Sequence, residues 1–597
     1  MRLLKGRDGV ARVYTVESFR DERGRPRQRT IAAHGRLEDL LAEDPDAVDK
    51  LKAEASRLTA VKRAGRGQVA YDTTAPSDGA AALNLGWLLV DAVVARLGSA
   101  KALAAAGRVR SGDAACLRLI TCSRVVWPSS KLACWEHRHT FFAGPDVTLG
   151  GVYSSLDRIA ETAVGLQQAA CAALGRRPED LVEVDYDVTN YFFHIDAPDP
   201  NPAGVGAPRG QASRQYGHSK ENRPDPIVQM GLFTDAAGLP ICYRLFAGNT
   251  TDSQTLPAAL AEFKRAFPAG RIVVVADKAM HTAGNLGRLH QHGDGWIVSA
   301  SARHADRKTH AWLDRPDGWT WNEDHTAKVK SAQVTRKVKI TLFGVDGLPA
   351  TAPEKMVAVW SADAAARDKA VREEILARAE TLARDETAYR ASNRRGVKKY
   401  IRPTHIDKDT GEILDEHDTC LTVDWAQADR EARYDGYQMV RTSETGLPDR
   451  DILARYRQLW RIEQTFRVSK TGLQTRPVYV RTRAHIEAHF ATCFLALLAE
   501  RLLERWTGLP SPQLLRALKD LQAVPVGDGV YRICRPAAWD LIDQATGVPL
   551  NQSWATIEQL RDWRRQLAKT AKTTCFTTPE NTPRRTKTPS HTPNPAP

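Results

Sequence analysis

Three acidic side chains, far apart along the chain, could carry metal-dependent chemistry. Asp187 and Asp277 each lie in a predicted strand, and Glu463 lies in a predicted helix. Carboxylate oxygens suit Mg²⁺, and two or three Asp or Glu can hold a pair of divalent ions about 3.5–4 Å apart. Such a pair can drive phosphoryl transfer without a covalent intermediate. The fold would have to bring these acids from distant parts of the chain to one point.

The first acid lies in LVEVDYDVTNYFF, residues 181–193. Its alternation predicts a strand that places Glu183, Asp185 and Asp187 on one face and apolar side chains on the other. Three acids on one strand face indicate a nearby cation or basic group, and a solvent-facing edge strand is the alternative. Alternation does not separate Asp185 from Asp187, so both are candidates for the first acid.

The second acid ends a continuous apolar strand. RIVVVADKAM, residues 271–280, has the uniform apolar character of a strand that is covered on both faces. Ligand sites of α/β sheets form at the carboxyl ends of such strands, which is the position of Asp277. A hairpin turning at 235–238 and a further strand at 296–301 indicate a mixed sheet. Asp252, in GNTTD, is interpreted as a helix cap.

The third acid lies in RYRQLWRIEQTFRVSK, residues 455–470, which is predicted to be one helix because it lacks Gly and Pro. Glu463 and Lys470 lie about 10 Å apart along a largely apolar stripe. A structural alternative is that both side chains reach out of the core to solvent. The stripe follows alternating steps of four and three residues. It comprises Ile452, Tyr456, Leu459, Glu463, Phe466 and Lys470.

Several blocks of sequence lie around these acids in a fixed order. They are YDVTNYFF at 186–193, the stretch from GHSKENRPDP to TTDSQTL at 217–256, VVADKAMHTAGNL at 274–286, and WRIEQTFRVSK with RPVYV between 460 and 480. In kind and order they resemble the conserved blocks of DDE-type bacterial insertion-sequence transposases. Most of 181–300 and 436–500 is covered by this resemblance.

The spacing of Tyr456, Glu463 and Lys470 resembles the signature of the Tyr-Arg-Glu-Lys group of these transposases. Leu459 stands where the signature has arginine. Arg455 and Arg461 are the two candidates to replace it, and the sequence does not choose between them.

The resemblance implies roles for individual residues. Asp187 is expected to be the first acid, with Asp185 in reserve, and Asp277 and Glu463 complete the catalytic, metal-binding set. Two Mg²⁺ ions, or Mn²⁺ in their place, are the implied cofactors. Tyr456 and Lys470 resemble the family residues that hold the terminal phosphate, and Arg461 and Arg467 are also expected to contact DNA. Independently of the resemblance, the run of Lys and Arg at 328–339 predicts that Lys337 and Lys339 contact DNA near the cleavage site.

The implied activity is DNA transposition. Such a protein binds the terminal inverted repeats of its element, cleaves at the ends, and transfers the 3′-OH strand into target DNA. Double-stranded DNA is the implied partner, and pairing two ends implies a dimer in the active complex. The alternatives are a stand-alone nuclease or resolvase on the same fold, or an inactive DNA-binding regulator derived from a transposase.

Composition is compatible with this interpretation. The 597-residue chain has 85 Lys and Arg against 71 Asp and Glu, a net charge of +14 that suits a polyanionic partner. Its nine cysteines are scattered and include no Cys-x-x-Cys pair, which favours a reducing compartment. The most apolar stretch, 490–499, is too short to cross a bilayer. We therefore expect a cytoplasmic protein without a membrane partner, and the resemblance implies a bacterial, nucleoid-associated one.

The predicted fold class is α/β. By resemblance it is a ribonuclease-H-like mixed sheet with flanking helices, interrupted by a β-rich insertion, plus an N-terminal helical domain and a C-terminal helical region. The predicted segments are 1–62 (a small β hairpin or meander and a helix), 83–176 (helical, with possible DNA-end binding), 177–301 (catalytic core, first part), 302–434 (insertion domain), 435–507 (catalytic core, second part, with the Glu helix), 508–569 (helical) and 570–597 (disordered tail).

Overall fold

The computed structural model divides into two compact units, Met1–Gly79 and Ala80–Pro597. The structure describes residues 2–6, 9–20, 26–64, 81–107, 110, 112–200, 213–221, 223–342, 345–391, 395–405, 419–527 and 529–574.

The first unit is an antiparallel three-stranded meander followed by two helices. Its elements are β1 (Arg2–Lys5), β2 (Ala11–Arg20), β3 (Pro26–Arg36), α1 (Leu37–Glu43) and α2 (Ala47–Ala64). The alternating sequence of residues 10–19 predicts this meander. Where the sequence predicts one charged helix, the structure has two, because Pro45 lies between them and disfavours helical geometry at the residue before it.

The second unit opens with one short strand and six helices. Ser130 caps α6 by accepting a hydrogen bond from the Ala133 N–H at 3.1 Å, and Thr148 caps α7 by accepting one from Gly151 at 3.0 Å. Pro128 ends the preceding helix, because a proline disfavours helical geometry at the residue before it, Trp127. The elements are β4 (Leu83–Asn84), α3 (Trp87–Val94), α4 (Ser99–Ala105), α5 (Asp113–Val126), α6 (Lys131–Glu136), α7 (Leu149–Glu161) and α8 (Ala163–Ala173).

A mixed sheet follows. The strand that carries the first acid pairs antiparallel with the hairpin strand after it and parallel with the strand that precedes Asp277. The hairpin turns at Asp235–Gly238, as the sequence predicts. The elements are β5 (Glu183–Phe192), β6 (Ile227–Asp235), β7 (Pro240–Ala247), α9 (Asp252–Ala266), β8 (Val273–Ala276), α10 (Ala283–Gln291) and β9 (Gly295–Ala300).

The predicted insertion, 302–434, adds strands to this same sheet. Its elements are α11 (Arg307–Asp314), β10 (Thr320–Trp321), β11 (Ala327–Leu342), β12 (Val345–Ser361), α12 (Ala362–Ala383), α13 (Glu386–Ala391), α14 (Arg395–Lys398), β13 (Ile401–His405), β14 (Thr419–Val423) and α15 (Trp425–Ala432), and the chain returns through β15 (Tyr437–Thr442).

The pairing of β12 with β15 over Lys355–Trp360 makes one sheet in the order β10-β11-β12-β15-β9-β8-β5-β6-β7. The sequence predicts an insertion domain of its own. In the structure, three of its strands are hydrogen-bonded into the sheet of the core, while β13 and β14 form a separate pair. The domain boundaries stay a prediction.

The predicted single helix at 455–470 is kinked into α16 (Asp449–Arg457) and α17 (Trp460–Arg467), and it ends in a π turn over Val468–Gly472. Between the two helices the N–H groups of Gln458, Leu459, Arg461 and Ile462 each bond the carbonyl three residues earlier. Such bonds tighten the turn and change which residues share a face. Neither Gly nor Pro marks this kink in the sequence.

The chain ends with the long helix α18 (Arg483–Thr507) and a mixed region. The latter comprises α19 (Ser511–Asp520), β16 (Gln522–Gly527), β17 (Val530–Cys534), α20 (Trp539–Thr546), β18 (Trp554–Thr556) and α21 (Ile557–Thr574). The predicted helical region therefore also contains three strands, which form a sheet with β4. The predicted tail begins at 570, but α21 continues to Thr574, and the rest of the tail lies outside the described residues.

The two faces of the large sheet are covered by different helices. Val184, Tyr186 and Val188 of β5 pack in a cluster with α9 and α10, whereas Tyr191 packs with α18 on the opposite face. Glu183, Asp185 and Asp187 alternate with the first set and so face α16 and α17. This is a mixed α/β fold with flanking helices, which confirms the predicted fold class.

Candidate active site

Asp187 and Asp277 lie side by side at the centre of the sheet. In the parallel pairing of β5 with β8, Tyr186 is opposite Ala276, and each acid is the next residue along its chain. Neighbouring strands lie about 4.8 Å apart. Burial raises the pKa of Asp187 to about 6; the Lys220 ammonium opposes this rise, and the charge of Asp277 adds to it. The two carboxylates are therefore close enough to affect each other electrostatically.

Short hydrogen bonds orient both carboxylates. The Val188 N–H donates to Asp187 Oδ1 at 2.7 Å. The Ser299 hydroxyl, on the strand next to β8, donates to Asp277 Oδ1 at 2.9 Å. Each acid thus has one oxygen fixed by a neutral donor while accepting capacity remains for another ligand.

Asp185 occupies a different environment from Asp187. It is only 1% exposed, beneath α17. Burial raises its pKa to about 7, the charges of Glu183 and Asp235 add to the rise, and Arg461 opposes it. Its neighbours are thus those of a closed interior position, whereas Asp187 lies beside Asp277. This geometry favours Asp187 as the first acid.

Glu463 lies on the exposed surface of α17, and Tyr456 is half-buried at the end of α16. Burial raises the pKa of Tyr456, a hydrogen bond with Ser299 opposes the rise, and the charges of Asp277, Glu463 and Asp187 add to it. The charges of all three predicted acids therefore raise the pKa of this one phenol.

The donor set fits a hard divalent cation. Asp187 and Asp277 are adjacent oxygen donors whose mutual repulsion a cation would relieve, and they lie where α/β sheets form ligand sites. Within the described ranges no group of three His, Cys, Asp or Glu is gathered closely enough to hold a metal ion together. The structure thus brings Asp187 and Asp277 next to each other, while Glu463 lies on the neighbouring helix α17 and does not complete a group of three.

Neither candidate for the missing signature arginine is unengaged. Leu459 itself is buried. Arg455 pairs with Glu183 at 2.9 Å, and Arg461 donates to the Ala236 carbonyl at 2.5 Å, in the hairpin turn between β6 and β7. Both arginines therefore anchor their helices to the sheet.

Lys470 lies within the site. Burial lowers its pKa to about 8, the nearby Lys220 ammonium lowers it further, and Asp187 opposes the decrease. Its ammonium pairs with Glu221 at 3.1 Å and lies 5.7 Å from the centre of the Tyr191 ring. The sequence predicted Lys470 on the stripe of one continuous helix, whereas in the structure it lies in the π turn after α17.

Near the acids lie Lys220 and Glu221, which the sequence analysis did not assign, and Asp252, which it interpreted as a helix cap. The Lys220 ammonium donates to the Val188 carbonyl, directly after Asp187, and pairs with Asp252 at 3.4 Å. Asp252 is the first residue of α9, and Thr251 takes the capping position predicted for it. The signal was present in the block GHSKENRPDP, which stands between two acid-bearing strands.

The remaining predicted DNA contacts lie further away. Arg467 is exposed one turn after Glu463. Lys337 and Lys339 are exposed on β11, on the sheet face of Ser299, because Ser331 aligns with Ser299 through Val357 and Val440. They lie six and eight residues beyond Ser331, which is about 20 Å or more along β11. This direction leads away from the end of β8, where the acids lie. The fold therefore does not bring these two lysines to the acids.

A mixed sheet with two acids at its centre and a third on a covering helix is the arrangement expected from the sequence blocks. Residues 199–499, about half of the chain, match the family model described as Transposase DDE domain. The chain therefore belongs to the DDE transposase family. This match includes Asp277 and Glu463 and begins after Asp187. No curated protein matches the chain. Among the described helices, none combines the length and apolar character needed to span a membrane.

Proposed function

We propose that this protein is a DNA transposase of the Tyr-Arg-Glu-Lys group with a ribonuclease-H-like core. It binds the terminal inverted repeats of an insertion sequence, cleaves at the ends and joins the released 3′-OH to target DNA. The carrying observation is that Asp187 and Asp277 end up side by side on parallel strands, with Glu463 and Tyr456 on the helices above them.

The three acids are proposed to hold two Mg²⁺ ions, for which Mn²⁺ can substitute. Bound divalent ions activate a water or hydroxyl nucleophile and stabilise the leaving oxygen. The chain's own contribution is geometry: Ser299 and the Val188 amide orient the two aspartates. Tyr456 and Lys470 are proposed to position the terminal phosphate, and Arg467 the neighbouring backbone.

The partners proposed are double-stranded DNA and a second copy of the chain. Two transposon ends must be paired, so a dimer is expected in the complex with DNA. We place the action on the DNA of a bacterial cytoplasm. Lys337 and Lys339, about 20 Å or more along β11 from the level of Ser299, are proposed to contact DNA away from the cleaved bond.

The test separates binding from cleavage. Asp187→Asn, Asp277→Asn and Glu463→Gln keep side-chain size and remove the charge that a hard ion needs. The substrate is a duplex that carries the inverted repeat found in the DNA flanking the coding sequence. We expect each variant to bind this duplex and to lose nicking and joining by at least about 100-fold.

Asp185→Asn is the matched control, on the same strand face but closed under α17. It should retain nicking. Near-normal nicking by the Glu463 variant would contradict the assigned role of α17. An active Asp187→Asn with an inactive Asp185→Asn would move the first ligand two residues back.

Strand transfer distinguishes the alternatives. Pre-cut ends with a free 3′-OH, mixed with supercoiled target DNA, should be joined by the wild-type chain. A stand-alone nuclease or resolvase would cut the ends and leave pre-cut ends unjoined. A regulator derived from a transposase would bind the ends and do neither.

A further inference from the structure

Residues 216–221, YGHSKE, form a segment that closes one side of the site. The carbonyl of His218 accepts a hydrogen bond from the Asn190 side chain of β5 at 3.1 Å. Gly217 lies so close to Gly248 that a Cβ on it would come within 1.9 Å of the Gly248 carbonyl oxygen. These two contacts fix the segment against β5 and the end of β7, directly before its two charged residues.

The first of these charged residues is Lys220. Its ammonium reaches the backbone carbonyl of Val188 and the carboxylate of Asp252, and its charge acts on Asp187. The side chain remains 39% exposed, so its attachment leaves part of it open to a ligand.

The second is Glu221, which holds two cations. One carboxylate oxygen pairs with Lys470 at 3.1 Å, and the other pairs with Arg476. Lys470 comes from the π turn after α17, and Arg476 from the segment that follows it. Glu221 thereby brings cations from a different part of the chain to the side of β5 where Lys220 lies.

The resulting cluster has more positive than negative charge. Among the residues that the structure describes, Lys220, Lys470 and Arg476 form ion pairs with Asp252 and Glu221, so the three cations exceed these two partners by one. Lys220 and Lys470 are close enough for their charges to oppose each other. Like charges held together beside an active site favour binding of an anion, and lysine and arginine are the side chains that bind phosphate.

We propose that Lys220 and Arg476 join Lys470 in a phosphate-binding cluster that holds the DNA backbone beside Asp187, with Glu221 as the positioning residue of the cluster. This inference rests on the proposed function, because it assigns the DNA phosphate next to the cleaved bond as the ligand. It adds two DNA-contacting residues and a positioning residue that the signature helix does not contain.

The experiment neutralises one phosphate at a time. A set of end duplexes carries a single methylphosphonate at successive positions around the cleaved bond, and their affinities are measured with the full chain in Ca²⁺. We expect one or two positions to weaken wild-type binding about tenfold. Lys220→Gln should bind the unmodified duplex about tenfold more weakly than the wild type. A methylphosphonate at the phosphate that Lys220 contacts should not weaken its binding further. Its salt dependence should fall by about one phosphate contact.

Lys264→Gln is the matched control, because Lys264 also pairs with an aspartate, Asp294 at 2.7 Å, at the far end of α9. It should respond to every lesion as the wild type does. Arg476→Gln tests the same cluster without altering the contact to Val188, should Lys220→Gln fail to fold. Glu221→Gln should weaken binding while leaving the positions of the sensitive phosphates unchanged.

The inference is overturned if Lys220→Gln and Arg476→Gln both remain as sensitive to every lesion as the wild type. If these residues had a purely structural role, the effects of the substitution and of the methylphosphonate on binding would simply add. A wild-type chain that neither binds nor nicks the unmodified end duplex would instead overturn the proposed function, so the two failures are distinguishable.

Discussion

Among single residues, Asp277 shows how an uncharged hydrogen-bond donor can orient a proposed catalytic carboxylate. Ser299 donates to it from β9 at 2.9 Å, and the same serine opposes the rise in the pKa of Tyr456. The serine therefore lies between the second acid and α16, the helix that directly precedes the one carrying Glu463. A hydroxyl can hold a carboxylate in place without neutralising the charge that a cation needs.

Ser299→Ala should slow nicking more than it weakens binding. A hydrogen bond to a charged group contributes about 1.5–3 kcal/mol, so a loss of roughly tenfold or more in the single-turnover rate is expected. Ser299→Thr keeps the hydroxyl and should recover most of the rate. Equal rates for the wild type and Ser299→Ala would show that the hydroxyl does not orient Asp277 for catalysis.

What could be predicted at this scale followed from strand position. The alternation of β5 placed Asp185 and Asp187 on one strand face. The continuous apolar run before Asp277 placed that residue at the end of a buried strand. The sequence could not say which of Asp185 and Asp187 lies beneath α17, because that depends on how a helix almost 300 residues later packs on β5. The position of Lys220 near the acids could not be predicted for the same reason, because its neighbours Asp187 and Asp252 lie in other elements.

At the scale of elements, the packing of α17 on a tight turn orients the site. Gly238 has φ of +78°, and a Cβ on it would lie 2.9 Å from the Cβ of Arg461. The helix that carries Glu463 therefore rests directly on the turn between β6 and β7. The alternation of β5 and the apolar run of β8 predicted their strands. The kink between α16 and α17 arises from main-chain bonding that leaves no marker in residue type.

Gly238→Ala should displace α17 as well as strain the turn. Gly347→Ala is the matched control, because Gly347 has φ of +82° with nothing within 4 Å of its missing Cβ. Both variants carry the cost of a left-handed alanine, about 1 kcal/mol. Only Gly238→Ala should also slow nicking, by about tenfold or more, because it shifts Glu463. Equal nicking by the two variants would show that this contact does not position the helix.

At the scale of the whole molecule, α18 joins the parts of the second unit. It packs against α3, α5 and α7 on the N-terminal side, against β7 of the sheet, and against α19 and α20. Its middle is buried on all sides, from Phe490 to Leu503. The sequence predicted a buried helix here, but the partners that bury it could not be read from its apolar pattern. One shared core therefore connects regions predicted as separate segments.

Glu500, in this core, makes stability dependent on pH. It is fully buried, and burial raises its pKa to about 7 from 4.5. The folded chain therefore binds more protons than the unfolded chain between these values, so stability falls as pH rises through that range. Glu500→Gln removes this cost, which is on the order of 3 kcal/mol at most. Its Tm should exceed that of the wild type by about 2–3 °C at pH 8 and by less at pH 5.

The exposed Glu380 of α12 provides the control. Glu380→Gln should shift Tm equally at the two pH values. A Glu500→Gln variant that is less stable than the wild type at pH 8 would mean that the carboxylate is ionised and stabilising in the folded chain.

Two truncations test how the chain divides. A chain of residues 80–597 lacks the first compact unit and keeps the second whole, so it should fold with its main unfolding transition unchanged.

A chain of residues 177–507 keeps the sheet, the three acids and α18 but lacks α3, α5, α7, α19 and α20. It would expose the apolar sides of α18 that these helices cover, and exposed apolar patches of this kind cause aggregation. We expect it to be insoluble or to unfold without a cooperative transition in calorimetry. A folded, cooperatively unfolding 177–507 chain would show that the catalytic sheet does not depend on the N-terminal and C-terminal helices for its stability.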